Sequence, residues 1–162
     1  MSTQHAILIA LSSKRLALLE SEPETLEDVV EARHEDEIPG LLDLKTHWET
    51  LDMLVSGRGR DPILGDALLA RSGKPLDVDT AFEQARVLGP QRVAEVAVKL
   101  AEVPPTLVRE RFTQLAEAKA PGKGANEKQL KELKEIETLF AQIVALYDGA
   151  AKAKQSMLAI LI

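Results

Sequence analysis

The chain contains no cysteine, which removes disulfides, thiolate metal sites and a cysteine nucleophile at once. Aromatic residues are also scarce, with one Trp, one Tyr and three Phe. A single-strand nucleic-acid binder needs stacking platforms along a basic groove. Few aromatics combined with a net charge of −6 therefore argue against nucleic acid as a partner. Long apolar runs are missing as well. The longest, Ala6 to Leu11 and Met157 to Ile162, fall far short of the roughly 20 residues that span a bilayer, so no membrane span is expected. Met1 to His5 carries no Lys or Arg, whereas a secretory leader begins with a basic segment, so the N-terminus is read as part of the fold. These features together predict a cytoplasmic protein. No dinucleotide fingerprint, phosphate loop or nucleophile elbow occurs, and no cofactor is expected.

What is present is a core vocabulary of Leu, Val, Ile and Ala in 162 residues, enough for one domain spanning 1–162. His5 to Leu11 reads as a strand buried on both faces, because it lacks the polar alternation of a half-wet sheet. Met157 to Ile162 reads the same way. Between them lie helical stretches. One covers Ser13 to Glu20; a second has Ser21 as N-cap, Pro23 in the first turn and Glu24 closing a capping box, with Leu26, Val29 and Val30 on one face. Pro39 and Gly40 mark a loop. Asp43 is then expected to cap a helix whose Leu44, Trp48, Leu51 and Val55 recur at spacings of four, three and four. Asp61 and Pro62 begin a short helix, and Lys74 to Gly89 is mixed, with Phe82, Val87 and Leu88 as buried points. Pro90 opens a helix with Val93, Val96, Ala97 and Leu100 in its stripe, and Pro104 and Pro105 separate it from one bearing Val108, Phe112 and Leu115. A long helix over Glu127 to Lys152 carries Leu130, Leu133, Phe140, Ile143, Val144 and Tyr147 on its apolar side. The fold class is α+β, predominantly helical, with a small sheet pairing the N-terminal and C-terminal strands.

Residues LDLKTHWETLDMLVSG, with Leu42, Asp43, Leu44, Trp48, Leu54, Val55, Ser56 and Gly57 at the marking positions, resemble the signature helix of the YfbM-like family, a bacterial domain of unknown function. Further on, Gln84, Ala85, Arg86, Val87, Leu88 and Pro90 match its Ala-Arg segment and Pro-started helix, and Arg111 with Phe112 and the strand Met157 to Ile162 extend the likeness. The family's Tyr-Gly is replaced by Phe82 and Glu83, its late aromatics are thinned, and Ala116 to Asn126 lacks a tyrosine, so any pocket those residues line in relatives is altered here. The resemblance implies an α+β fold with no established catalytic activity.

Candidate chemistry is sparse. His47 follows Asp43 by four residues, a spacing that on one helix face lets a carboxylate orient an imidazole. No nucleophile or third group accompanies the pair, so an N-cap beside an apolar stripe is the favoured reading. A zinc site needs three or four ligands, and no His-rich spacing supplies them, so no metal is expected. Gly122, Lys123 and Gly124 lack the spacing and the Ser or Thr of a phosphate loop. Gly57, Arg58, Gly59 and Arg60 read as a glycine-rich helix stop in preference to an anion-binding nest. Trp48 needs a partner for its N–H, and Arg86, in a semi-apolar stretch, is expected to meet a carboxylate. Both are read as structural, with a ligand pocket beside them as the alternative.

Charge is unevenly distributed. Between Glu20 and Asp52 stand twelve acids and two bases, Arg33 and Lys45, so this fifth of the chain holds −10 and the rest +4. An acidic face repels phosphate and steers cationic surfaces. The leading expectation is therefore a non-catalytic module that presents acids, with Glu35, Asp36 and Glu37 as partner-binding candidates, to a basic protein partner such as a toxin, in the manner of an immunity or antitoxin-like inhibitor. One alternative is a small-molecule-binding protein or enzyme with a pocket near Trp48, Arg86 and His47. The other is a homo-oligomeric structural protein joined through Ile136, Leu139 and Leu146 on the second face of the long helix.

Overall fold

The two apolar strands from opposite ends of the chain pair antiparallel at the centre of one sheet, β1 (Ala6–Leu11) against β5 (Ser156–Leu161), with Leu8 opposite Ala159. The computed structural model describes residues 4–33, 38–76, 84–124 and 126–162. Side chains alternate across a strand, so β1 splits its apolar residues between two cores. Ala6, Leu8 and Ala10 enter the larger, while Ile7, Ile9 and Leu11 enter the smaller. β5 does the same with Met157 and Ala159 on one side and Leu158 and Ile160 on the other. Helices cover both faces, and this is why neither strand has a polar face.

Three strands beyond the expected two complete the sheet: β2 (Leu41–Lys45), β3 (Lys74–Pro75) and β4 (Gln84–Leu88), in the order β2-β1-β5-β4-β3 with every pair antiparallel. β2 corrects the expectation that Asp43 caps a helix. Leu44 ends up in a strand and Trp48, Leu51 and Val55 in the helix α3 (Trp48–Ser56), yet all four side chains reach the larger core. The 4-3-4 spacing spans two elements because the chain turns at Lys45, which has a φ of 54°, and at Thr46 and His47. Phe82 and Glu83 lie outside the described residues.

On the smaller-core face, α1 (Ser13–Ser21) and α2 (Glu24–Ala32) cover the sheet through Leu19, Leu26 and Val30. The predicted capping box at Ser21 does not form. Ser21 closes α1 and its hydroxyl donates back to the Leu18 carbonyl, while Pro23 occupies the N-cap of α2 without a side-chain bond. Ser12 is the residue that caps a helix here, accepting from the Arg15 N–H.

Over the larger core lie α3, the single turn α4 (Asp66–Leu69), α5 (Pro90–Glu102), α6 (Pro105–Lys119) and α7 (Glu127–Lys152). α7 starts at a reciprocal capping box, in which Asn126 accepts from the Gln129 N–H and Gln129 accepts from the Asn126 N–H. Its buried stripe is Leu133, Ile136, Phe140, Ile143, Tyr147 and Ala150, at steps of three and four. Ile136, assigned from sequence to a free second face, is therefore fully inside. Leu139 and Leu146 pack at the margin of the same core, and Leu130 is the half-exposed residue. The face on which self-association was argued is occupied within the chain.

Candidate functional site

Two carboxylates are buried beneath the loop that joins α3 to β3, and each is fully engaged. Asp52, one turn before the end of α3, receives Arg71 in a bidentate pair at 2.8 and 2.6 Å, and also accepts from Ser56 Oγ at 2.9 Å. Arg71 further donates to the Gly65 carbonyl. Asp66, wholly buried at the start of α4, accepts from the Ser72 N–H at 2.7 Å, the Ser72 hydroxyl at 2.5 Å and Arg92 Nε at 2.7 Å. Burial by itself raises the Asp66 pKa, but the Ser72 and Arg92 hydrogen bonds outweigh it and hold the carboxyl below its usual range. Tyr147 from α7 lies alongside, its hydroxyl donating to the Ala67 carbonyl at 2.6 Å; burial pushes its pKa well up, so it stays neutral. These carboxylates are anchors, because their acceptor sites are occupied by cations and hydroxyls of the same chain.

The anchored loop forms one wall of a cleft of about 660 Å³, within the range of small-molecule sites. β1 and β4 are parallel to each other through their shared partner β5, so their carboxyl ends, Leu11 and Leu88, share one sheet edge where α1 and α5 begin. The cleft opens at this edge. Leu16 and Glu20 of α1 flank it, β3 and Leu76 supply another side, and Gly89, Pro90 and Arg92 of the α5 start close it. A second groove, about 310 Å³, runs between His47 and α7.

The residues singled out from sequence are dispersed. Trp48 begins α3, buried in the larger core, with its indole N–H donating to the Gln4 carbonyl at 3.0 Å. Arg86 sits in the middle of β4 and donates to the Gly73 carbonyl at 3.3 Å, where a carboxylate was expected. Strands β1 and β5 lie between β2, which leads into Trp48, and β4, and neither Trp48 nor Arg86 lines the two cavities above. His47 and Asp43 do not form the predicted helical pair. His47 Nε2 meets Glu135 of α7 at 2.7 Å, while Asp43, in β2, accepts from Arg33 Nε at 3.1 Å and faces His5 Nδ1 at 3.6 Å. Glu35, Asp36 and Glu37 lie outside the described residues. The Gly57 to Gly59 segment is a helix stop, with left-handed Gly57, Arg58 and Gly59. Its N–H groups are spent on Met53, Asp52 and Ser56. Among the described residues, no group of three or more His, Asp or Glu is placed to hold a metal ion, and no helix is long and apolar enough to cross a membrane.

The acidic bias does take a definite form. Glu20, Glu22, Glu24, Glu27, Asp28 and Glu31 all lie on or between α1 and α2, whose apolar sides are turned to the sheet. Sequence reading located this charge but missed Asp52, Asp66, Arg71 and Arg92. The one available signal was an acid, Asp52, embedded among apolar residues of an amphipathic helix.

An antiparallel five-stranded sheet with helices on both faces defines an α+β domain. The chain belongs to the family described as Domain of unknown function (DUF1877), whose model matches residues 1–160. The crystal structure of YfbM, a protein of unknown function from Escherichia coli, is similar to it over 98% of this chain and 99% of that one, with a TM-score of 0.66 and 14% identity. That likeness shows a shared fold, and the resemblance drawn from the Leu42 to Gly57 and Gln84 to Leu88 segments is upheld. No curated protein matches the chain.

Proposed function

We propose that this protein is a non-catalytic binding module of the bacterial cytoplasm that presents the acidic outer face of α1 and α2 to a basic protein partner, in the manner of an immunity or antitoxin-like inhibitor. The observation that carries the reading is an internal conflict in α2. Glu24 with Asp28 and Glu27 with Glu31 are like-charge pairs four residues apart, and Glu24 with Glu27 and Asp28 with Glu31 are like-charge pairs three apart. Each such pair costs a helix about 0.2–0.5 kcal/mol. The dipole favours Glu24 and Glu27 in the first turn of α2, but Glu20 and Glu31 lie in the last turns of α1 and α2, against it, and neither last turn holds a base. A local sequence that opposes its own helix is expected where a surface serves something other than stability.

A basic partner would relieve that repulsion on docking and would be drawn in by long-range attraction. The test is affinity capture from native lysate at low and high salt, with the double variant Asp28→Lys, Glu31→Lys as control. A basic protein retained at low salt, released at high salt and lost with the variant supports the reading, and inhibition of that protein's toxicity supports the immunity form. Capture that ignores both salt and the variant, or no capture at all, removes it.

A further inference from the structure

The cleft at the carboxyl ends of β1 and β4 combines features that the acidic face does not use. Its walls are largely apolar, from Leu16, Leu76, Val87 and Pro90. Ser156, at the first position of β5, is more than nine-tenths buried and lines the cleft, yet its hydroxyl has no hydrogen-bond partner among the described residues. The hydroxyl is open to the cleft and not sealed in the core, so it is a polar group that an occupant of the cleft can engage. Lys74 lines the same space, and its ammonium is unpaired among the described residues. α5 begins at this spot from Gly89, with no side chain capping its first turn, so the positive end of a 13-residue helix faces the cleft. Arg92 adds positive charge, with one N–H on each of its three nitrogens already given to Asp66, Glu95 and the Pro62 carbonyl. Glu20, from α1, is the one carboxylate on the lining among the described residues.

From this arrangement we infer that the cleft binds a small amphipathic organic acid, with its carboxylate or phosphate group at Ser156, Lys74 and the start of α5 and its apolar body along Leu16, Leu76 and Val87. Anions are at home at helix N-termini, and a lysine with a serine hydroxyl completes the recognition of either head group. Glu20 disfavours the reverse orientation of the acid.

The test is titration calorimetry with hexanoate, hexyl phosphate, hexylamine and inorganic phosphate, together with amide NMR shifts to locate binding. Hexanoate or hexyl phosphate binds at millimolar concentration or below and moves the amides of Gln91, Arg92 and Ser156, and the tighter of the two identifies the head group. Hexylamine does not bind, and inorganic phosphate binds about tenfold more weakly for want of the apolar contact. Lys74→Gln weakens binding about tenfold and Ser156→Ala by a smaller factor, whereas Glu20→Gln tightens it.

Gly89 has an extended backbone, φ −69° and ψ 165°, and a Cβ there would meet nothing within 4 Å. Gly89→Leu therefore fills the cleft without backbone strain and abolishes binding in a protein that still melts cooperatively. If that variant does not fold, the Lys74→Gln, Ser156→Ala pair decides. Equal binding of hexylamine, shifts confined to another surface, no binding of either acid, or a folded Gly89→Leu that still binds overturns the inference.

Discussion

Asp66 and Arg92 stand 26 residues apart in the chain and meet at 2.7 Å, tying the short α4 turn to the first turn of the longer α5. The carboxylate is wholly buried and the guanidinium about a quarter exposed, so the pair couples the interior to the lip of the cleft. Removing the acid strands a partly buried cation and two Ser72 donors. Asp66→Asn is expected to cost about 3 kcal/mol in urea unfolding, while Glu95→Gln, which touches only the exposed side of Arg92, costs less than about 0.5 kcal/mol.

The same carboxyl sets an acid limit. Its folded-state pKa lies below the unfolded value, so its contribution to stability is complete above about pH 4 and lost as pH falls through the native pKa. Wild-type stability should therefore fall below about pH 4, and Asp66→Asn should fall less steeply over that window. Equal slopes in urea melts at pH 5 and pH 3 would argue that other carboxylates dominate acid unfolding.

Charge in α2 gives the opposite sign. Asp28→Lys and Glu31→Lys replace like-charge pairs with opposite-charge ones in the favourable orientation, since Glu24 and Glu27 each precede a substituted position by four residues, and the second change also places a base in the last turn. The double variant should be more stable by about 1 kcal/mol in thermal melts while losing any basic partner. A destabilised variant would mean that the acids are structural, and the proposed trade of stability for binding would be withdrawn.

Two glycines should respond very differently to alanine. Gly57 ends α3 with φ 63°, and a Cβ there meets only Arg60 side-chain carbons at 3.6 Å or beyond, so Gly57→Ala costs about 1 kcal/mol of backbone strain. At Gly73 a Cβ would fall 2.6 Å from the Val87 carbonyl oxygen and 2.9 Å from that of Ala70. Both obstacles are backbone, one in β4 and one just past the end of α4, so Gly73→Ala should be the more damaging, by several-fold in the unfolding constant.

Helix caps separate what local sequence promised from what the fold uses. Asn126→Ala removes a reciprocal capping box and should cost about 1 kcal/mol. Ser21→Ala should be nearly silent, since Ser21 caps nothing and its hydroxyl only folds back on Leu18. Chemical denaturation of the two variants side by side checks the contrast.

Strong, local, uniform signals were legible in advance. The apolar β1 and β5 segments, Pro90 at the start of α5 and the long period of α7 each constrain their own backbone within a few residues. Leu41 to Lys45 was misread because its apolar spacing continues into α3, and periodicity cannot register a turn between two elements that feed one core. Arg86 and Trp48 were recognised as residues needing partners, but the partners are the carbonyls of Gly73 and Gln4, which no side-chain pattern announces.

Composition and pattern alone determined the fold class, the central pairing of the chain ends and the acidic bias of its first third, because burial and charge are properties that each residue carries with it. Tertiary structure alone decided that Asp52 meets Arg71, that Asp66 meets Arg92, and that Ser156 and Lys74 share a cleft with the start of α5. These are meetings of residues distant in the chain, and only the closing of the sheet and the path of the loop between α3 and β3 bring them within bonding distance.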